Sequence, residues 1–189
     1  MPADSLVLSP PCTANDCHEI PDPILDLLPF RFGKIDGVVV TPLKAHRDER
    51  GWLCELFRQD AMPADVFPAM SYLSETLPGA TRGPHEHLQQ TDFFCFFGAA
   101  AFHLYLWDNR VESPTYLCRA VVTVGENRPA TVLIPPGVVH AYRNISAVPG
   151  LVLNFPNRLY RGEGRNDPVD EVRHEDDPRS PFRLLPQAA

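Results

Sequence analysis

Short apolar runs recur along most of the chain. In many of them, alternate residues would point to opposite faces of a β-strand. In "AFHLYLWD", a strand would place Phe102, Leu104 and Leu106 on one face and the residues between them on the other. Comparable runs, rich in β-branched and aromatic residues, are "YLCRAVVTVG", "ATVLIPPG", "VVHAYRN" and "GLVLNFPN". Many short strands at this spacing predict an all-β sandwich or barrel.

Turn-forming residues and length define the predicted domain organisation. The 21 prolines are spread between the apolar runs, which suits strands joined by turns because proline is excluded from strand interiors. The 189 residues suffice for one domain with a substantial core. We expect a flexible N-terminal arm over residues 1–20, and a single domain over 21–189 whose charged tail begins near residue 160.

Composition narrows the class of protein. Apolar residues make up 44% of the chain and charged residues 22%, which is typical of a soluble globular protein. The net charge of -7, without a basic stripe, argues against nucleic acid as a partner. No apolar run approaches the length of a membrane span, and the first residues lack the pattern of a signal peptide. We therefore expect a cytoplasmic protein without a membrane partner.

Two histidine motifs carry the candidate chemistry. The first is "RGPHEHLQQTDFFCFFG", with His85, His87 and Asp92, and the second is "IPPGVVHAYRN", with His140. Together they resemble the paired motifs of the cupin superfamily, which implies a double-stranded β-helix, or jelly-roll barrel. Residues i and i+2 of a strand share a face, so both histidines of the first motif can point into the barrel.

These four side chains leave two interpretations open. Three imidazoles and one carboxylate suit a divalent transition metal such as Fe, Mn, Ni or Zn. Alternatively, the histidines only satisfy hydrogen bonds in a polar barrel interior.

Five further segments, in chain order, narrow the resemblance. They are "DERGWLCELFR", "TRGPH", "LWDNRVESPTY", "IPPGVVHAY" and "NDPVDEVR". Together they resemble the dTDP-4-dehydrorhamnose 3,5-epimerase family over roughly residues 35 to 175. The resemblance implies an isomerase or epimerase that removes a proton next to the ketone of a nucleotide-linked 4-keto-6-deoxy sugar, in deoxysugar or polysaccharide biosynthesis, without a cofactor.

The resemblance also implies roles for individual residues. His85 is the base, since imidazole titrates near neutral pH, and Asp167 is the carboxylate paired with it. Arg50 and Arg82 contact the nucleotide diphosphate, for which guanidinium geometry is suited. The remaining candidates for substrate contact are His87, Gln90 and His140. The family also implies a homodimer whose N-terminal strands pair across the interface.

The chain departs from the family pattern at two places. The family usually has glutamine at the position of His87 and a basic residue near that of Asp92. Its acid is a tyrosine on a late strand, where this chain has Leu153 or Asn154. We expect Tyr142 to serve as the acid instead, with Tyr105 and Tyr160 as other substitutes.

Two alternatives to the isomerase follow from these departures. One is a metal-dependent cupin enzyme, a dioxygenase or a metal-assisted isomerase, with His85, His87, Asp92 and His140 as ligands. The other is a sugar-binding cupin without catalytic activity.

Overall fold

The computed structural model describes residues 29–184, which form two facing sheets and a separate hairpin. In chain order the strands are β1 (Arg31–Phe32), β2 (Val39–Pro42), β3 (Ala45–Asp48), β4 (Gly51–Cys54), β5 (Tyr72–Thr76), β6 (Thr81–Glu86), β7 (Asp92–Phe96), β8 (Ala101–Asp108), β9 (Cys118–Gly125), β10 (Ala130–Ile134), β11 (Val138–Asn144), β12 (Gly150–Asn154) and β13 (Val172–Arg173). Short 3-10 helices cover Gln59–Ala61, Ala64–Val66 and Glu163–Arg165.

The sheet order brings distant parts of the chain together. One sheet has the order β1-β9-β8-β11-β6-β13 and the other the order β2-β10-β7-β12-β5, while β3 and β4 pair only with each other. All these pairings are antiparallel except that of β1 with β9. Strands β6, β7 and β11, which carry the histidine motifs, thereby come from both sheets.

The main core fills the space between the sheets. Phe94 and Phe96 of the second sheet pack there with Phe102, Leu104 and Leu106 of β8. The residues of β8 that face the other way, among them two aromatic rings, form a smaller cluster that Phe30 and Phe182 cover. The alternation predicted for β8 is therefore confirmed, although both of its faces carry buried aromatic rings.

The architecture confirms the predicted all-β jelly-roll barrel. The predicted arm over residues 1–20 lies outside the described residues. None of the helices within 29–184 is long and apolar enough to cross a membrane.

Candidate active site

A cavity of about 1240 Å³ contains most of the predicted site residues. One side of it is formed by strands β5, β6 and β11, with Tyr72, Arg82, His85 and Tyr142 among the lining side chains. The other side is formed by residues 156–175, which follow β12 and return past the end of β6. Strands therefore fix one wall of the cavity, and a largely irregular segment forms the other.

Gly83 brings the two histidine motifs into contact. It has a φ of 80°, in the left-handed region, and lies where the pairing of β6 with β11 shifts register. A Cβ atom at this position would lie 2.5 Å from the carbonyl oxygen of His140. Only glycine allows this close approach, which sets His85 directly opposite His140 with ring centroids 4.5 Å apart.

His85, His87, Asp92 and His140 form one compact cluster. One ligand atom from each residue lies within 4.8 Å of those of the others. The Oδ2 atom of Asp92 is 3.2 Å from Nε2 of His87 and 3.1 Å from Nε2 of His140. Asp92 Oδ2 and His140 Nε2 are buried and form no hydrogen bond, so the contacts of the carboxylate with the two rings are ion-pair contacts.

Backbone carbonyls orient two of the rings. Nδ1 of His140 is 3.0 Å from the carbonyl oxygen of Val138, and Nδ1 of His87 contacts that of Asp170. The Asp170 carboxylate in turn accepts hydrogen bonds from three successive backbone N–H groups, those of residues 88–90. Each ring thus donates Nδ1–H outward and directs Nε2 towards Asp92.

Burial and mutual repulsion shape the charges of the cluster. Burial, together with the neighbouring His140 and His87, lowers the pKa of His85 to about 2, so this imidazole is neutral. Burial also opposes protonation of His87, but Asp92 and the Asp170 carbonyl raise its pKa to about 9. Burial acts against ionisation of Asp92, yet contacts with His140 and His87 hold its pKa below the ordinary value.

The second carboxylate oxygen of Asp92 is linked through Asn154 to Tyr72, a residue that the sequence did not indicate. Asp92 Oδ1 accepts hydrogen bonds from Gln90 Nε2 at 2.8 Å and from Asn154 Nδ2 at 2.9 Å. The same Asn154 amide donates to the hydroxyl oxygen of Tyr72 at 2.8 Å. Asn154 and Tyr72 face each other on paired strands, so β5 supplies a phenol where β12 carries Asn154.

The hydroxyl groups of Tyr72 and Tyr142 both belong to the cavity side of the barrel. Burial and the Asp92 carboxylate raise the pKa of Tyr72 above its ordinary value, and burial also raises that of Tyr142. Tyr142 is almost wholly buried, and its hydroxyl lies 3.1 Å from Ser74 Oγ. Tyr72 could have been found only from the pairing of β5 with β12, which the sequence does not display.

The structure places a different carboxylate next to His85 than the one predicted. The ion-pair contact of His85 is between Nδ1 and Glu171 Oε1, at 3.9 Å. Asp167 also lines the cavity, but its backbone is bonded to Arg161, in the loop that contains Gly162. The expected pairing of Asp167 with His85 came from the resemblance of the C-terminal segment, and Glu171 lies four residues further along that segment.

The two predicted phosphate contacts differ in position. Arg82 lines the cavity, where its guanidinium donates to the carbonyl oxygen of Glu75 at 2.7 Å and to the Thr76 hydroxyl. Arg50 lies in the turn of the β3–β4 hairpin, pairs with Asp48, and has a side chain that is 84% exposed. It does not line the cavity of a single chain, although the family resemblance grouped it with Arg82.

Comparison with known proteins identifies the relatives of this chain. Over 139 residues it is 37% identical to a probable low-salt glycan biosynthesis epimerase, Agl13, of Haloferax volcanii, covering 72% of this chain and 86% of that protein. It is 36% identical to the spore coat polysaccharide biosynthesis protein SpsL of Bacillus subtilis, over 74% of this chain and 88% of that one.

A solved structure and a family model agree with these relatives. The crystal structure of a dTDP sugar isomerase from Desulfovibrio desulfuricans G20 matches with a TM-score of 0.66 and 26% identity, over 83% of this chain and 93% of that one. The predicted class, a sugar-nucleotide epimerase or isomerase, is thereby confirmed. The sequence model of the dTDP-4-dehydrorhamnose 3,5-epimerase family matches residues 33–162, and the chain belongs to that family.

Proposed function

We propose that this protein epimerises a nucleotide-linked 4-keto-6-deoxy sugar at a carbon next to the ketone, with His85 as the base. The observation that carries the assignment is the placement of His85, a neutral imidazole lining the cavity beside the Glu171 carboxylate. The lowered pKa keeps the imidazole neutral and able to accept a proton, but it also weakens the base. The Glu171 carboxylate, which is paired with Arg173, is the nearby charge that favours the imidazolium that results.

The first half of the reaction breaks a carbon–hydrogen bond that the ketone has acidified. The proton passes to a ring nitrogen of His85, and the electron pair moves into an enolate on the ketone oxygen. Glu171 takes the place first assigned to Asp167. At 3.9 Å its carboxylate is too distant for a hydrogen bond, so it acts on the charge of His85 and not on its hydrogen bonding.

The second half returns a proton to the opposite face of the same carbon. We assign this step to Tyr72, whose hydroxyl oxygen accepts a hydrogen bond from Asn154 and so keeps its own O–H free to donate. Its raised pKa keeps the phenol protonated until the enolate forms. Tyr142, the acid expected from sequence, shares its hydroxyl with Ser74 inside a cluster of aromatic rings.

The nucleotide end of the substrate fits the arginine-rich part of the cavity. Arg82 is held by two hydrogen bonds, which leaves the rest of its guanidinium to bind a phosphate oxygen. Four more arginines line the same cavity, at positions 158, 161, 165 and 173. The same segment carries five carboxylates, so a diphosphate would be bound by individual guanidinium groups and not by a uniformly positive wall.

The homodimer and the role of Arg50 stay predictions. The β3–β4 hairpin projects from the two sheets, with Trp52 52% exposed and Leu53 71% exposed. A second copy of the chain packed against this hairpin would cover these side chains. Arg50 would reach a cavity only in such an arrangement, and that cavity would belong to the second copy.

Exchange with solvent deuterium tests the base directly. The wild-type chain, incubated in D₂O with dTDP-4-keto-6-deoxyglucose, should place deuterium at C3, at C5 or at both, as followed by NMR. His85→Asn should lose exchange by about a thousandfold, because it removes the proton acceptor. The control is His103→Gln, a half-buried histidine in β8 that does not line the cavity, which should exchange like the wild type. Exchange that persists in His85→Asn would remove His85 from the role of base.

A further inference from the structure

We propose that His87, Asp92 and His140 bind one divalent transition-metal ion next to His85. Binding of the ion is argued from the geometry of these side chains alone and does not require the proposed function. Its chemical role, given below, does rest on that function.

The distances within the cluster are those of atoms that share an ion. A transition ion holds imidazole nitrogen and carboxylate oxygen at about 2.0–2.2 Å, which places neighbouring ligand atoms about 3.0–3.5 Å apart. The two Nε2 atoms lie 3.2 Å and 3.1 Å from Asp92 Oδ2. A ring nitrogen of His85 completes a set of four atoms within 4.8 Å of one another.

The unpartnered atoms point to a missing positive species between them. His140 is 1% exposed and Asp92 1% exposed, yet His140 Nε2 and Asp92 Oδ2 have no hydrogen-bond partner. His140 donates Nδ1–H to the Val138 carbonyl, so its neutral form presents a lone pair at Nε2. A lone pair facing a carboxylate oxygen at 3.1 Å is repulsive, and a cation bound to both removes the repulsion.

The groups behind the ligands have the arrangement of a metal site. Ligating histidines usually donate their other ring nitrogen to a carbonyl or carboxylate, which fixes the tautomer. His87 and His140 both do so, to the carbonyls of Asp170 and Val138. Asp92 is fixed through Oδ1 by the amides of Gln90 and Asn154, so that only Oδ2 is left for an ion.

The ligand types indicate which ions fit. Imidazole nitrogen favours Fe²⁺, Mn²⁺, Ni²⁺ or Zn²⁺ over the oxygen-seeking Mg²⁺ and Ca²⁺. The ion would displace the proton of His87, and two imidazoles and one carboxylate would then leave coordination positions for water or substrate. A ketone oxygen placed over His85 lies close to this ion, which would polarise it as the enolate forms. In this respect the ion deepens the epimerase proposal.

Metal analysis of the full chain tests the binding site. Protein made without a histidine tag should carry about one transition ion per chain, measured by inductively coupled plasma mass spectrometry. After removal of that ion, titration with Co²⁺ should give d–d absorption bands and raise the melting temperature. The protein should lose Co²⁺ affinity by about a hundredfold or more in Asp92→Asn and in His87→Gln.

Three controls keep the result interpretable. Asp92→Asn is nearly isosteric and keeps the Oδ1 acceptor, so its fold can be checked by circular dichroism. His46→Ala removes an exposed histidine and should bind Co²⁺ as the wild type does. His85→Asn should keep most of the Co²⁺ affinity while it loses deuterium exchange.

The outcomes separate this inference from the proposed function. A chain that is purified without metal and shows no Co²⁺ bands, or whose Co²⁺ affinity is the same in Asp92→Asn, overturns the metal site. Deuterium exchange in such a chain would still support the epimerase proposal. Conversely, a metal-loaded chain without exchange overturns the epimerase and leaves the metal site. Equal exchange rates with and without the ion would refute its polarising role.

Discussion

The two sides of the candidate site are built in different ways. On the side of the proposed base, His85 and His87 come from one contiguous motif, and Gly83 of the same motif sets them against His140. On the side of the proposed acid, the phenol of Tyr72 meets Asn154 only because β5 pairs with β12, since the two residues are 82 positions apart in the chain. The base side follows the family pattern at His85, and the acid side departs from it.

If His85 and Tyr72 are the base and the acid, the two positions differ in how strictly the sequence constrains them. A base that depends on one local turn must keep its motif, because a slip of one residue on a strand reverses its face. An acid only has to present a proton from the opposite wall. Any strand next to β12 can supply that proton, provided its register points the hydroxyl into the cavity.

Replacing the acid should have the largest effect on this comparison. Tyr72→Phe removes the phenolic proton, and epimerisation of dTDP-4-keto-6-deoxyglucose should slow by about a hundredfold or more. Exchange without inversion should persist, because His85 still removes and returns a proton on its own face. Both quantities are measured by NMR of the product formed in D₂O.

Tyr142→Phe is the matched comparison for that variant. It removes a hydroxyl that is bonded to Ser74, and the rate should change by less than about threefold while the protein loses about 1 kcal/mol of stability. A hundredfold loss in Tyr142→Phe with normal rates in Tyr72→Phe would return the acid to its sequence-based assignment.

Removing the cavity arginine should have an intermediate effect, on binding more than on chemistry. Arg82→Ala deletes a charged donor, and the dissociation constant for dTDP should rise by about tenfold to a hundredfold. Calorimetric titration with dTDP measures this. The control is Arg179→Ala, whose side chain is 91% exposed and outside the cavity. An unchanged affinity in Arg82→Ala would place the diphosphate elsewhere.

Neutralising the carboxylate beside His85 should have the smallest effect. At 3.9 Å and partly solvated, Glu171 contributes only modestly to the imidazolium, so Glu171→Gln should lower kcat about threefold to fivefold with little change in KM. Steady-state kinetics on the same substrate separate the two constants. Asp167→Asn tests the earlier assignment, and a larger loss of kcat there than in Glu171→Gln would restore it.

The fold could be predicted well because it depends on local patterns. The alternation in "AFHLYLWD" placed Phe102, Leu104 and Leu106 correctly in the main core. Side-chain period and turn residues are properties of short segments, so they survive without knowledge of the pairing. Strand order could not be predicted, since it depends on which hydrophobic faces complement each other across the barrel.

The candidate site also has a part that follows from local sequence motifs and a part that depends on strand pairing. The sequence by itself determined that His85, His87, Asp92 and His140 belong together, because two motifs with fixed spacing carry them. Tertiary structure alone decided that Glu171 lies next to His85, that Tyr72 stands opposite Asn154, and that Arg50 does not line the cavity of its own chain. The physical reason is distance along the chain: spacing within a strand fixes direction, but contacts between strands depend on register, which only the packed sheets determine.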